Sequence, residues 1–464
     1  MSSQPTGPGD QAVGGQAVGN RAAGGQAPGA LASVRAGAIR ASGERTSGVQ
    51  SSGRAPTVEP SRGSGDPPAL APAMREAVLA ETDRLVGDLI DFRRDLHRHP
   101  ETARQEVRTT SMVLRRLAEA GLDPKPFQGT GLMCDLGPSI EEAGWPRLAL
   151  RADLDALPVP DHTATAWRSV KEGTSHACGH DIHATAVLGA GLVLHRLHRE
   201  GLLRSPVRLI FQPAEEVQPS GAQELIAQGA LDSVNRIVAL HCDPRYQVGS
   251  VAIKTGSITS AADLVTIYAY GEGGHTSRPQ LTQDLVFAVG QLLTGLPAIL
   301  DRRLDPRAVV SLTWGAVHAG EAHNAIPSSA VIKGTLRAGD MRTWHRAAEI
   351  VKQSVPVLAA QYGIRTELEY QAGVPPVVND PAVTGLMTAA ARSVLGGNNV
   401  LVAEQSMGGE DFAWYLREVP GALMRLGVRI PGAQPADLHQ PEFDPDEGAI
   451  RVGVEVLAAT AVSA

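Results

Sequence analysis

Cysteine, aromatic residues and surplus positive charge are all scarce in this 464-residue chain. Three cysteines (Cys134, Cys178 and Cys242) cannot build a disulfide framework, so a reducing, cytoplasmic setting is expected. Aromatics make up only 4% of the residues, and the first of them is Phe92. Against 49 Asp+Glu stand 42 Lys+Arg, for a net charge of −7. No basic excess exists to displace counterions from a phosphate backbone, which argues against a nucleic-acid partner. No run of about 18 apolar residues occurs, so no membrane span is expected. The N-terminus lacks a charged segment leading into an apolar one, so no secretory leader is expected either. The length predicts more than one domain and a sizeable core.

What is present is unevenly spread. Residues 1–72 are low-complexity Gly, Ala, Ser, Gln and Pro, with echoes such as Gly15-Gln16-Ala17-Val18-Gly19 and Gly25-Gln26-Ala27-Pro28-Gly29. Such a segment buries too little apolar surface to offset the entropy of ordering, and it reads as a disordered tail. The tail holds six Arg and four acidic residues, which leaves the body at −9.

From residue 73 helical spacing sets in, with Leu85, Val86, Leu89, Ile90 and Leu96 on one face. Strands are predicted at 147–152, 207–211 and 236–240, with helices at 184–198 and 222–228. Alternation of this kind implies βαβ units: an α/β domain whose mostly parallel sheet is covered by helices on both faces. A second unit interrupts it. Strands at 263–270, 309–317, 329–337 and 365–370, with helices at 284–300 and 343–362, follow a strand-helix-strand-strand-helix-strand order of ferredoxin-like α+β type. The expected organisation is a discontinuous catalytic domain (73–256 and 373–464) around an insert at 257–372.

In open α/β sheets, ligands bind beyond the carboxyl ends of the strands. Asp153 and Asp155 follow one predicted strand, Glu215 and Glu216 a second, and His241 a third. His176-Ala177-Cys178-Gly179-His180-Asp181 opens a helix. Taken singly, each has an ordinary explanation: a turn cap, a solvated face, a small buried thiol, a structural histidine. Four separate segments converging on one edge argue for a metal site instead. One thiolate with imidazoles and carboxylates suits zinc, manganese, cobalt or nickel. Neighbouring glutamates on an extended segment cannot point the same way, so one can ligate while the other stays free as a general base. A cysteine hydrolase built on Cys178 is a weaker rival, because its nearest histidine, His180, is two residues away and no orienting Asn or Asp is evident. No glycine-rich phosphate loop follows a strand.

The ordered motifs carry a family resemblance. Leu96-His97-Arg98-His99-Pro100-Glu101, Arg151-Ala152-Asp153-Leu154-Asp155-Ala156-Leu157-Pro158, the Cys178 segment and Gln212-Pro213-Ala214-Glu215-Glu216 come first. Gly273-Gly274-His275, Asn324-Ala325-Ile326-Pro327, Gly409-Glu410-Asp411-Phe412 and Leu438-His439-Gln440-Pro441 follow. Residues 75–464 thereby resemble the metal-dependent amidohydrolases that include hippurate hydrolases, N-acyl-L-amino-acid amidohydrolases and plant IAA-amino-acid hydrolases, within the aminoacylase and carboxypeptidase superfamily. The resemblance implies two divalent ions, Mn2+ or Zn2+ with Co2+ or Ni2+ as substitutes, held by Cys178, His180, Glu216, His241 and His439. It implies Glu215 as general base, and Asp155 as the carboxylate orienting a ligand histidine. His275, Asn324 and Arg337 would contact substrate, and the insert would serve as lid and homodimer interface. A small N-acyl amino acid or amide is the expected substrate, with small peptides or a non-catalytic binding role as alternatives. Asp153 stands where distant relatives carry a ligand histidine. Ile182 and Gln280 depart from the common Gly and His and bear on specificity. Cys242 reads as structural.

Overall fold

The computed structural model describes residues 70–434 and 436–464; the expected tail therefore lies almost wholly outside the described residues. The first helix, Pro72–Arg98, opens on a proline, whose missing N–H is no loss in a first turn. It buries Val78, Leu89, Phe92 and Leu96.

An eight-stranded sheet forms the larger lobe. Its order is Lys125–Pro126, Leu132–Leu136, Val207–Gln212, Arg147–Asp153, Val234–Gln247, Gly421–Arg429, Val251–Ile253 and Val400–Val402. The four central strands run parallel, and antiparallel pairings lie toward the margins. Side-chain alternation sorts each central strand between two apolar layers. Leu148, Leu150, Val238, Leu240, Met424 and Leu426 join one core under Pro72–Arg98, His180–Arg199, Pro381–Leu395 and Gly448–Val462. Ala149, Ile237, Ala239 and Leu423 join a second core with Leu225 of Gly221–Ala227 and with Phe412 and Tyr415. By the same parity Arg151, His241 and Arg425 lie on this second face, and the register pairs Arg425 with His241.

The insert builds its own four-stranded antiparallel sheet, ordered Val310–His318, Ser329–Ala338, Ala261–Tyr270 and Arg365–Val374. Helices Leu285–Arg303 and Met341–Ala360 pack on it through Leu292, Leu296, Ile350 and Val351. Asp284 and Asp340 cap these helices, accepting from Phe287 N and Thr343 N. The strand order and connections are those of a ferredoxin-like layer. Among the described residues, Leu285–Arg303 is the one helix long and apolar enough to cross a membrane, and its inner stripe is spent on this sheet.

Candidate metal centre

The site forms where the parallel strands Arg147–Asp153 and Val207–Gln212 end, while His241, expected to close its strand, lies within Val234–Gln247. His180 begins the helix His180–Arg199, four residues earlier than the apolar spacing predicts. The reason is Gly179, held at φ 85°, a conformation glycine adopts without steric cost. A Cβ there would meet Cys242 Sγ at 2.7 Å. The bend places Cys178 Sγ 3.6 Å from His241 Nε2. His241 Nδ1 donates to the Cys242 carbonyl at 2.7 Å, which leaves Nε2 free to ligate. Gly221 approaches the Pro213 carbonyl so closely that a Cβ would lie 1.8 Å from its oxygen, and this contact shapes the turn bearing Glu215 and Glu216.

The Asp155 carboxylate accepts from both Glu215 N and Glu216 N at 3.0 Å. Its expected hold on a histidine is only partly direct. His180 Nδ1 donates to the Asp155 backbone carbonyl at 2.8 Å, and the carboxylate lies at 3.5 Å. On the far side, His180 Nε2 stands 3.9 Å from Glu216 Oε1, and His439 Nε2 stands 3.2 Å from the same oxygen. His180 Nε2 and Glu216 Oε1 are buried without a hydrogen-bond partner. Cys178, His180 and His241 form one cluster of ligand atoms within 4.8 Å of one another, and Cys178, Glu216 and His439 form another. The five residues expected as ligands are thus brought together, Cys178 shared between the clusters. Unspent nitrogen, sulfur and carboxylate atoms in this arrangement fit a pair of divalent cations.

Charge around the site is strongly biased. Burial raises the Cys178 thiol well above its ordinary range, and Glu216 and Glu215 push the same way. Burial likewise raises Glu215, reinforced by Glu410, Glu216 and Asp411; cations beside it would oppose that shift. Burial disfavours a charged His180, but Asp153 and Asp155 outweigh it and lift the imidazole to about 10. Burial, with Arg425 pushing the same way, holds His241 neutral.

Residues without an assigned role in the sequence make the supporting frame. Asp153 accepts from His183 Nδ1 at 2.6 Å and from Arg151 Nη1 at 2.7 Å. His183 Nε2 accepts from Cys242 N at 2.8 Å, so both its nitrogens are occupied. The fully buried Arg151 also reaches Asp411 Oδ1 at 2.5 Å, Gln212 Oε1 at 2.9 Å and Glu410 Oε1 at 3.2 Å. Glu215 accepts from Asp411 N at 3.4 Å. The Gly409-Glu410-Asp411-Phe412 motif was the available signal for this frame.

A cavity of about 320 Å³ opens over the clusters, lined by Cys178, Glu215, Glu216, His241, Arg337, Glu410, Arg425 and His439. Of the three expected substrate contacts, Arg337 is brought to it, donating to the Met407 carbonyl at 2.5 Å. His275 and Asn324 are brought to each other instead: His275 pairs with Ala325, next to Asn324, and Thr276 N donates to Asn324 O. His275 is exposed and lines a different pocket with Ser277 and Arg278.

Residues 149–463 match the family described as peptidase family M20/M25/M40. The chain belongs to that family. It is 35% identical over 363 residues to a Bacillus subtilis N-acetyl-L-cysteine deacetylase, covering 78% of this chain and 84% of that one. It is 33% identical, with a TM-score of 0.70, to a solved Bacillus subtilis dinuclear metal-binding peptidase of family M20, covering 82% and 98% of the two chains. A Rhodococcus jostii protein provisionally named glutamate–cysteine ligase 2-3 is 49% identical over 372 residues. This chain spans 46% of that protein's length, against 80% of its own. The M20 assignment agrees with the α/β lobe and its inserted layer.

Proposed function

We propose that this chain hydrolyses the amide bond of N-acyl amino acids with two bound divalent cations, Mn2+ or Zn2+. The observation that carries the reading is the pair of buried, unpartnered ligand atoms, His180 Nε2 and Glu216 Oε1, set among Cys178, His241 and His439 beside the carboxylate of Glu215. Those five side chains would hold the ions, which supply Lewis acidity toward the scissile carbonyl and acidify water. Glu215 takes the proton from the attacking water and returns it to the leaving nitrogen as the C–N bond breaks, releasing a carboxylate and a free amine. Asp155 fixes both glutamates through their backbone N–H groups, so Glu215 and Glu216 keep separate tasks. Arg337 offers a planar fork to the substrate carboxylate. His275 and Asn324, which do not line the cavity, would reach substrate from a second copy in a homodimer formed through the insert. The deacetylase name of the Bacillus subtilis relative supports an acyl amino acid over a longer peptide, and the free thiols support a cytoplasmic setting.

The test is a Mn2+- or Zn2+-supplemented hydrolysis panel of N-acyl amino acids and dipeptides, with Glu215→Gln beside the wild type. Release of free amino acid should fall by roughly 10²–10⁴-fold in the variant with metal content retained. Near-normal turnover would remove Glu215 as base. No release by the wild type, with two metals bound, would overturn the amidohydrolase reading and favour a binding role.

A further inference from the structure

Arg425 is the one charged residue lining the cavity that has no place among the expected ligands, base and substrate contacts or in the supporting frame. It sits in the middle of the strand Gly421–Arg429, among Leu423, Met424 and Leu426, is only 5% exposed, and pairs in register with His241. Its Nε has no hydrogen-bond partner, and its guanidinium makes no hydrogen bond to any described residue. The nearest carboxylate, Asp243, lies 4.0 Å away and is already held by Arg245 at 2.6 and 3.0 Å. Glu410 does not engage it either; one oxygen of that carboxylate is held by Arg151 and the Phe412 N–H. An arginine stays charged even when buried, and a buried cation without a partner is costly.

We propose that Arg425 binds a second carboxylate of the substrate, so that the preferred substrates are amides carrying two carboxylates, one on Arg337 and one on Arg425. The proposal deepens the amidohydrolase reading and rests on it. A guanidinium matches a carboxylate in a planar, two-pronged fashion, which an ammonium cannot do. Both arginines line the same cavity of about 320 Å³, so one small dianion spans them. The second carboxylate could belong to the amino-acid side chain or to the acyl group. Both present the same chemistry to Arg425.

Two matched pairs separate these sources: N-acetyl-L-glutamate against N-acetyl-L-glutamine, and N-succinyl-L-alanine against its terminal amide. In the metal-loaded wild type, kcat/KM should favour the dicarboxylate in one pair by about 10- to 100-fold, the worth of one charge-assisted hydrogen bond. Arg425→Met should bring that ratio close to one. A merely structural role would slow both members equally and leave the ratio unmoved, which overturns the proposal. Wild-type ratios near one in both pairs overturn it without any variant, and Arg425→Gln serves if the methionine variant does not fold. If no pair is hydrolysed, the amidohydrolase reading is decided by the wider panel of N-acyl amino acids and dipeptides. Arg425 is then judged by calorimetric titration of the same four compounds, where equal affinities within each pair reject it.

Discussion

Removing Arg151 should destabilise the whole larger lobe, and by an amount that depends on pH. Its guanidinium is fully buried and serves Asp153, Asp411, Glu410 and Gln212 at 2.5–3.2 Å. Arg151→Met keeps most of the apolar volume and leaves three buried carboxylates without their cation. Breaking a buried pair from one side costs about 3–5 kcal/mol, a large share of the roughly 5–15 kcal/mol that holds a domain together. The structure also supplies the sign of the pH dependence. Burial, only partly offset by Arg151, already pushes the Asp411 carboxyl up to about 8. Without the guanidinium the native state binds protons that the unfolded chain, with ordinary carboxyls near 4, has released. Its stability therefore falls as pH rises. Urea unfolding at pH 6 and pH 8, both proteins metal-loaded, should show a larger deficit for Arg151→Met at pH 8. Adding Asp411→Asn should recover part of the loss, because one fewer buried charge is then unpaired. A deficit under about 1 kcal/mol at pH 8, or one that does not change with pH, would refute the assignment of Arg151 as the counter-ion of this frame.

Gly221→Ala should drive a methyl into the Pro213 carbonyl, 1.8 Å from its ideal position. Overpacking of this kind costs about 1–3 kcal/mol, and here it moves the turn bearing Glu215 and Glu216, so turnover should fall further than unfolding stability. Equal activity in the purified variant would contradict the role of that close approach. Cys178→Ser should lose bound metal on dialysis, since a hydroxyl does not replace a thiolate; unchanged stoichiometry by elemental analysis would exclude Cys178 as a ligand. Burial and Arg93 disfavour a charged His97, but Asp181 at 2.8 Å and Asp161 at 3.3 Å outweigh them and raise its pKa above 6.5. The stability it contributes is full below about 6.5 and is lost as pH rises through the folded value. His97→Gln should therefore lose more stability at pH 6 than at pH 9 in denaturant titrations, and an equal loss at both would remove the ionic contribution.

Most of the fold was legible because it rests on period. The alternation of short apolar strands with longer helical stretches marked both sheets, and the strand ends marked where Asp153, Glu215 and Glu216 lie, whereas His241 falls inside its strand. The misses have specific causes. The C-terminal helix Gly448–Val462 is buried at twelve of fifteen positions, so no polar face reveals its period. The strand Val234–Gln247 runs past His241 and through Pro244, where a proline signals an end. His180 starts its helix early because Gly179 caps it with a left-handed turn, which apolar spacing does not record. Arg425 is the most instructive case. Within its own strand it reads as one charge among Leu423, Met424 and Leu426, and nothing local says which way it faces. Parity places it with Leu423 on the second face, as it places Arg151 with Ala149 and His241 with Ala239. Only the pairing of Gly421–Arg429 with Val234–Gln247, across nearly two hundred residues of chain, sets that face beside His241. Local pattern determines which residues share a face of a strand. Which strands lie side by side is settled by long-range packing, and a site assembled across strands becomes complete only there.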